Sequence, residues 1–269
     1  MLFRSDKPVE IPQLDTNRIL GIDPGVDNLA ACASTTGQIF LVDGRQLKAA
    51  NQWYNKERSR LQAIKDKHNI KAQTRKMAAI AINRDYFILD YMRKAARFIV
   101  DFCTANSIGT IVVGVNKEQK QSVNMGHINN QNFVQIPFWK FRRILKGLCE
   151  KNGVLYCETN ESYTSKASFL DKDTLPQYDP NRQEKHIFSG RRIKRGLYKT
   201  KNGSTIHADI NGAANIIRKH RSDADFSTLD KAVLLNPKRI RVLNTARKKP
   251  VVRHKKKAVK SKAAAQATA

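Results

Sequence analysis

The stretch Ile19-Leu20-Gly21-Ile22-Asp23-Pro24-Gly25-Val26-Asp27 decides how the rest of the chain is read. An apolar run climbs to a single carboxylate, Pro24 and Gly25 turn the chain, and a second apolar run, Leu29-Ala30-Ala31-Cys32-Ala33, follows. Two such runs around a turn predict neighbouring antiparallel strands with an acid at the end of the first. A carboxylate at the tip of a buried strand is costly to desolvate unless it is paired or binds a metal. Asp23 is therefore a candidate ligand for a hard cation. The plainer alternative is an acid that only opens the turn, since Asp-Pro-Gly is strong turn chemistry.

Working outward, strand one is expected over about 18–23 and strand two over about 28–34. A third run, Ile39-Phe40-Leu41-Val42, ends at Asp43-Gly44, and Thr36-Gly37 supplies the turn before it. The three make an antiparallel meander. Helical spacing of apolar residues among many Lys and Arg runs from Gln46 to about Ile64. A longer helical pattern covers Lys71 to Ala105, with Ile80, Phe87, Leu89, Met92, Ala96, Ile99 and Val100 as inward positions. Ile111-Val112-Val113 before Gly114 suits a buried strand parallel to the first. A polar loop from Asn116 to Asn132, a helix from about Pro137 to Lys151 and a strand at Val154–Cys157 complete this half.

The chain has 269 residues, 41% of them hydrophobic, enough for one large domain or two small ones. No apolar run is long enough to span a membrane, and the first residues lack the apolar core of a signal peptide. The four cysteines, Cys32, Cys103, Cys149 and Cys157, form no Cys-x-x-Cys pair and lie in apolar surroundings. Reduced thiols in a cytoplasmic protein are the expectation. Fifty Lys and Arg against 23 Asp and Glu leave a net charge of +27, which implies a polyanionic partner, most simply nucleic acid. From Pro237 onward there are twelve Lys or Arg and no acid, so residues 221–269 are expected to be a basic, mostly disordered tail adding sequence-independent affinity.

Residues 158–207 are rich in loop signals. Lys201-Asn202-Gly203 marks a hairpin, and Arg191, Arg192, Lys194, Arg195, Tyr198 and Lys199 interleave cations with an aromatic ring. Such a set can grip phosphates and stack on bases, or be an ordinary solvated hairpin. His207-Ala208-Asp209-Ile210-Asn211-Gly212 opens a last helix. Asp209 near its N-terminus is a favourable place for a carboxylate, as a cap or as a ligand.

The order of strands and helices, with one acid on strand one and another on the last helix, resembles a ribonuclease-H-like (RuvC-type) α/β domain. That fold is a mixed sheet of three antiparallel strands plus parallel strands, flanked by helices. Gly21-Ile22-Asp23-Pro24-Gly25 is similar to the first motif of RuvC-type nucleases. Glu161-Ser162-Tyr163-Thr164-Ser165-Lys166-Ala167-Ser168 and Ala208-Asp209-Ile210-Asn211-Gly212-Ala213-Ala214-Asn215-Ile216 resemble later motifs of the TnpB (OrfB) family. Ile111–Lys117 and Gln131–Phe138 also look like family segments. That family comprises the RNA-guided endonucleases of insertion sequences, related to type V CRISPR effectors and Fanzor proteins.

The resemblance implies a nuclease domain over 17–220, after an irregular lead-in at 1–16. It also implies two-metal phosphodiester hydrolysis with Mg²⁺ held by carboxylates. DNA is the implied substrate and a guide RNA the implied partner, with no membrane. Asp23 carries over as the first ligand and Asp209 as the last. In most relatives a Glu closes the strand that corresponds to Ile111–Val113; here Gly114 stands there. Either the site is dead or the carboxylate is relocated. Glu161 is the expected replacement, with Glu158 and Glu118 as weaker candidates, and Asn215 either helps position the site or only packs. Typical relatives carry a four-cysteine zinc site; Lys166 to His207 holds no cysteine, Ser168 falls at the first position, and Asp171 and Asp173 are poor zinc ligands, so no zinc is expected. The recognition domain that precedes the first motif in relatives is expected to be absent, truncated or encoded separately. A nuclease-dead nucleic-acid-binding remnant and a stand-alone junction resolvase remain alternatives.

Overall fold

The computed structural model describes residues 13–116, 136–178 and 185–243. β1 (Asp15–Asp23), β2 (Asn28–Ser34) and β3 (Ile39–Asp43) form the expected meander. A helical hairpin follows, α1 (Arg45–Lys67) and α2 (Arg75–Ala105), then β4 (Ile108–Val115). After α3 (Phe138–Lys151) come β5 (Leu155–Asn160) and three short strands, β6 (Arg191–Lys194), β7 (Leu197–Lys199) and β8 (Thr205–His207). α4 (Ala208–His220) and β9 (Lys238–Ile240) close the described chain.

The main sheet has six strands in the order β5-β4-β1-β2-β3-β9. β1 pairs antiparallel with β2 and β2 with β3, while β4 is parallel to β1 and β5 to β4. This is the ribonuclease-H-like arrangement. Every residue of β2, β3 and β4 is buried, because helices cover both faces of the sheet.

α2 and α3 cover one face. Leu20, Ile22, Val113 and Phe40 meet Met92, Ile99, Phe141 and Leu145 there in the largest core cluster. The buried stripe of α2 runs through Ile88 and Tyr91, while Phe87 and Leu89 sit at its half-buried margin. Thr74 caps α2, its hydroxyl accepting from the Met77 amide at 3.3 Å. Cys32, Cys103 and Cys149 are free and buried, and burial pushes their thiols up, so they behave as small apolar side chains.

α4 covers the other face and approaches it closely. A Cβ on Gly21 would stand 2.4 Å from the Ala213 carbonyl oxygen and 2.6 Å from the Ile217 side chain, so only glycine lets this strand and helix touch. Ile19, Val112, Ile216 and Ile217 fill the remaining contact.

The segment after α4 differs from the tail that its charge suggests. Leu229 and Leu234 are buried against Ala31, Leu41 and Ala214. Lys238–Ile240 pairs in parallel with Phe40–Val42 on the outer edge of the sheet. Apolar residues at 226, 229 and 234 anchor this segment in spite of the basic residues that follow it. Residues 244–269 lie outside the described residues, as do 117–135, which include Glu118, and the lead-in up to Pro12. No helix of the described residues is long and apolar enough to cross a membrane.

Candidate active site

Asp23 ends β1. Its neighbour Ile22 pairs with Cys32 on one side and Val113 on the other, so the acid emerges at the end of a central strand. Burial, then the charges of Glu161 and Asp209, push its carboxyl well above the ordinary Asp range; Arg192 works in the opposite direction. Glu161 and Asp209 are thus both within electrostatic reach of Asp23. Gly212, on the first turns of α4, makes room for this. A Cβ there would stand 2.5 Å from Asp23 Oδ2, so a side chain at 212 would displace the carboxylate.

Glu161 follows the last residue of β5. Its amide donates to the Val115 carbonyl at 3.2 Å, which ties it to the end of β4. Its Oε2 lies 3.3 Å from where a Cβ on Gly114 would be. The Glu161 carboxylate therefore occupies the space beside Gly114. A side chain on Gly114 would also stand 2.5 Å from Ile216 Cδ1. Burial raises the Glu161 carboxyl to about 6, against the lowering charge of Arg142. Glu158 faces elsewhere: it accepts from the Tyr156 hydroxyl at 2.8 Å and pairs with Arg142 at 3.3 Å on the sheet's outer edge.

Asp209 lies in the first turn of α4, which His207 caps through Nδ1, accepting from the Asp209 amide at 3.3 Å. Its side chain is already engaged. Asn28 Nδ2 donates to Oδ2 at 2.7 Å, and Arg192 Nη2 lies 3.3 Å from Oδ1. Among the described residues no three His, Cys, Asp or Glu side chains form a ready-made metal cage. Asp23 feels the charges of both other acids, and Arg192 closes on Asp209.

The loop that presents Glu161 is clamped by one face of α4. Asn211 Nδ2 donates to the Ala167 carbonyl at 2.7 Å and its Oδ1 accepts from the Phe169 amide at 3.1 Å. Asn215 Nδ2 reaches the Thr164 and Ala167 carbonyls at 2.9 and 2.7 Å. Lys219 Nζ donates to the Ser162 carbonyl at 2.9 Å. Positions 211, 215 and 219 repeat at the helical spacing of four, which puts all three on one stripe. Both asparagines are fully buried, so the bonds are formed where water cannot replace them. The clamp holds Tyr163 at φ 65°, a conformation that costs a non-glycine residue about 1 kcal/mol or more. The i, i+4 polar repeat inside an otherwise apolar helix is the sequence signal for it.

β6, β7 and β8 form a separate three-stranded antiparallel sheet with the Lys201-Asn202-Gly203 turn, where Gly203 takes φ 82°. All four residues of β6 are exposed. Arg192 pairs with Asp209 and Arg195 with Asp27, so this sheet presents its cations to the rim of the acidic cluster. Arg191, Lys194 and Lys199 face solvent. Tyr198 corrects the expectation of a stacking ring: it is fully buried and its hydroxyl donates to the Lys166 carbonyl at 2.8 Å. Alternation along a short strand turns it inward while its neighbours face out.

Asp171 and Asp173 staple the loop beneath. Asp171 Oδ2 accepts from the Lys201 amide at 3.0 Å and the Ser189 hydroxyl at 3.2 Å. Asp173 Oδ2 accepts from the Ser168 and Ser189 amides at 2.8 and 3.1 Å. Burial opposes the Asp171 charge, yet hydrogen bonds from Ser168, Lys201 and Ser189 hold its carboxyl below the usual range.

The strand order and the parallel and antiparallel pairings are those of a ribonuclease-H-like fold. A family described as a probable transposase, OrfB_IS605, matches residues 3–120, and a Cas12f1-like TNB domain matches residues 138–216. Among solved structures the chain is similar to a Cas12f1–sgRNA–target DNA complex, at 18% identity and a TM-score of 0.52, over 80% of this chain and 52% of that one. It is also similar to a CRISPR-Cas12f ternary complex, at 18% identity and a TM-score of 0.51, over 78% of this chain and 40% of that one. The chain thus spans about half or less of the proteins it matches. No curated protein matches it.

Proposed function

We propose that this chain is the nuclease portion of a metal-dependent, RNA-guided DNA endonuclease of the TnpB type. The observation that carries the reading is Glu161, whose carboxylate lies against Gly114 and within electrostatic reach of Asp23. The donor set fits Mg²⁺. It consists of carboxylate oxygens; burial raises the Asp23 and Glu161 carboxyls, and at Asp23 the charges of the other two acids add to it. Asp23, Glu161 and Asp209 would hold the ions, which when bound would supply charge stabilisation and an activated water.

The chain's own groups account for the rest. Without metal, Asp23 keeps its proton to a higher pH than an ordinary Asp, and cation uptake must release it. Arg192 must leave Asp209, or stay on one oxygen only, before that carboxylate can bind a cation. The exposed cations Arg191, Lys194 and Lys199 would then meet a phosphate backbone at the same rim, holding strands without reading bases. In this reading guide pairing supplies sequence choice and the protein recognises backbone shape. The likeness to a Cas12f1 complex with guide RNA and target DNA supports this assignment of partners.

The test is Mg²⁺-dependent cleavage of DNA by the purified chain with its co-purified RNA. Asp23→Asn and Asp209→Asn are expected to lose about 1000-fold in rate, on the order expected when an electrostatic element of such a site is removed. Glu161→Gln is expected to lose as much; full activity in Glu161→Gln would reject the relocated ligand. Mn²⁺ affinity should rise as pH rises through about 6, where Glu161 gives up its proton. The second reading, a remnant that binds nucleic acid without cutting, is favoured by the Arg192–Asp209 pair. It predicts salt-dependent binding that Asp23→Asn leaves unchanged and no Mn²⁺ uptake.

A further inference from the structure

β9 carries into the site a side chain that none of the three acid-bearing motifs contains. Its register on the edge of β3 places Arg239 opposite Leu41, next to the strand that ends at Asp43. Arg239 Nη1 donates to Asn28 Oδ1 and lies 3.7 Å from Asp43 Oδ1. Asn28, on the neighbouring strand and paired with Asp43 in register, donates from Nδ2 to Asp209 Oδ2 at 2.7 Å. Asn28 and Asp43 are both buried.

The chemistry of these groups gives the chain of contacts a direction. A guanidinium only donates, so it fixes the carbonyl end of the Asn28 amide toward itself. The amino end is then left facing Asp209. Asp43 anchors the arrangement from behind: Arg45 Nε and Nη2 each donate to it at 2.8 Å, and Arg239 shares its charge. The result is a neutral donor on one oxygen of Asp209, which orients the carboxylate while leaving its charge in place.

We propose that Arg239 and Asn28 are positioning residues for Asp209, so that an edge strand beyond the last motif is part of the nuclease centre. The proposal rests on the reading of Asp209 as a metal ligand. Groups that orient a ligating carboxylate typically change metal affinity by about 10–100-fold when removed.

The test uses the full chain and two readouts: the Asn28 side-chain amide signals in proton–nitrogen NMR, and Mn²⁺ affinity by calorimetry. Arg239→Ala is expected to move the Asn28 signals, speed their exchange with solvent and weaken Mn²⁺ binding about tenfold. The double variant Asn28→Ala/Arg239→Ala is expected to bind Mn²⁺ no worse than Asn28→Ala alone, because the arginine acts through the amide. Arg239→Lys should recover part of the loss. Arg241→Ala, which removes a cation 4.0 Å from Asp43, should change neither readout. Should Arg239→Ala fail to fold, Arg239→Met keeps the stem and removes the donors. Unmoved Asn28 signals, or losses that add in the double variant, would overturn the proposal. A wild-type chain that takes up no Mn²⁺ would instead overturn the nuclease reading, and the Asn28 signals would still decide whether Arg239 sets the amide.

Discussion

On one face of the main sheet, α2 and α3 stand off on bulky side chains such as Met92, Ile99 and Phe141. On the other, α4 comes down onto backbone at Gly21 and against Asp23 at Gly212. The first face buries apolar area, and its value is stability. The second trades side-chain volume for proximity, and brings Asp209 and Glu161 within reach of Asp23. The difference teaches that the acids converge because of residues without side chains, more than because of the acids' own spacing in the chain.

The largest effect that would sharpen this contrast lies on the thick face. Ile99→Ala should cost about 2–5 kcal/mol in stability, read as a lower denaturant midpoint. Cleavage measured well below its melting temperature should be unchanged. If cleavage falls as far as stability does, the two faces are not separable in function.

Gly212→Ala makes the complementary test on the close face. The added methyl would meet Asp23 Oδ2 at 2.5 Å. Cleavage should fall about 100-fold, the scale of a catalytic group misplaced by about 1 Å. Stability should move little, since alanine also favours the helix by about 1 kcal/mol. A variant with normal Mn²⁺ affinity and normal cutting would show that Asp23 does not need the glycine.

Asn215→Ala probes the clamp that holds the Glu161 loop. Loss of its bond leaves the Thr164 carbonyl without that donor, at a cost of about 1–3 kcal/mol. Mn²⁺ binding should weaken in the same variant, because Glu161 would be presented by a looser loop. Wild-type affinity would assign Asn215 to packing alone.

The smallest effect has the opposite sign. Glu161 holds its proton up to about 6 in the folded chain, against 4.5 for the ordinary group, so the folded state binds more protons between these values. Stability from this group is therefore full below about 4.5 and lost as pH rises through about 6. Without metal, Glu161→Gln should be more stable than wild type by about 1–2 kcal/mol at about pH 7.5. The gain should vanish below about pH 4.5. A destabilised Glu161→Gln at neutral pH would mean that the charge is already compensated.

Much of this is legible in the residues. The meander, the long helices and the buried parallel strand follow from apolar periodicity, which depends only on neighbours a few positions apart. Asp23 and Asp209 stand out because an acid beside an apolar run is conspicuous. Glu161 is reachable only through the family resemblance, which expects an acid where Gly114 stands. The basic stretch after β5 shows its cations but misassigns Tyr198, because three-residue strands give too little alternation to tell inside from outside. β9 is hidden by its charge: Lys238 and Arg239 sit on a strand whose apolar anchors, Leu229 and Leu234, lie several residues earlier.

The sequence by itself determined the order of elements, the acid at the end of β1, the acid that opens α4 and the cationic surface, since each depends on local pattern or on total charge. Only the tertiary structure decided that Glu161 lies beside Gly114, that Asn211, Asn215 and Lys219 grip its loop, and that Arg239 reaches Asn28. Those contacts join residues between 42 and 211 positions apart. They exist because glycines let α4 close on the sheet and buried leucines hold β9 on its edge, distances that no local pattern encodes.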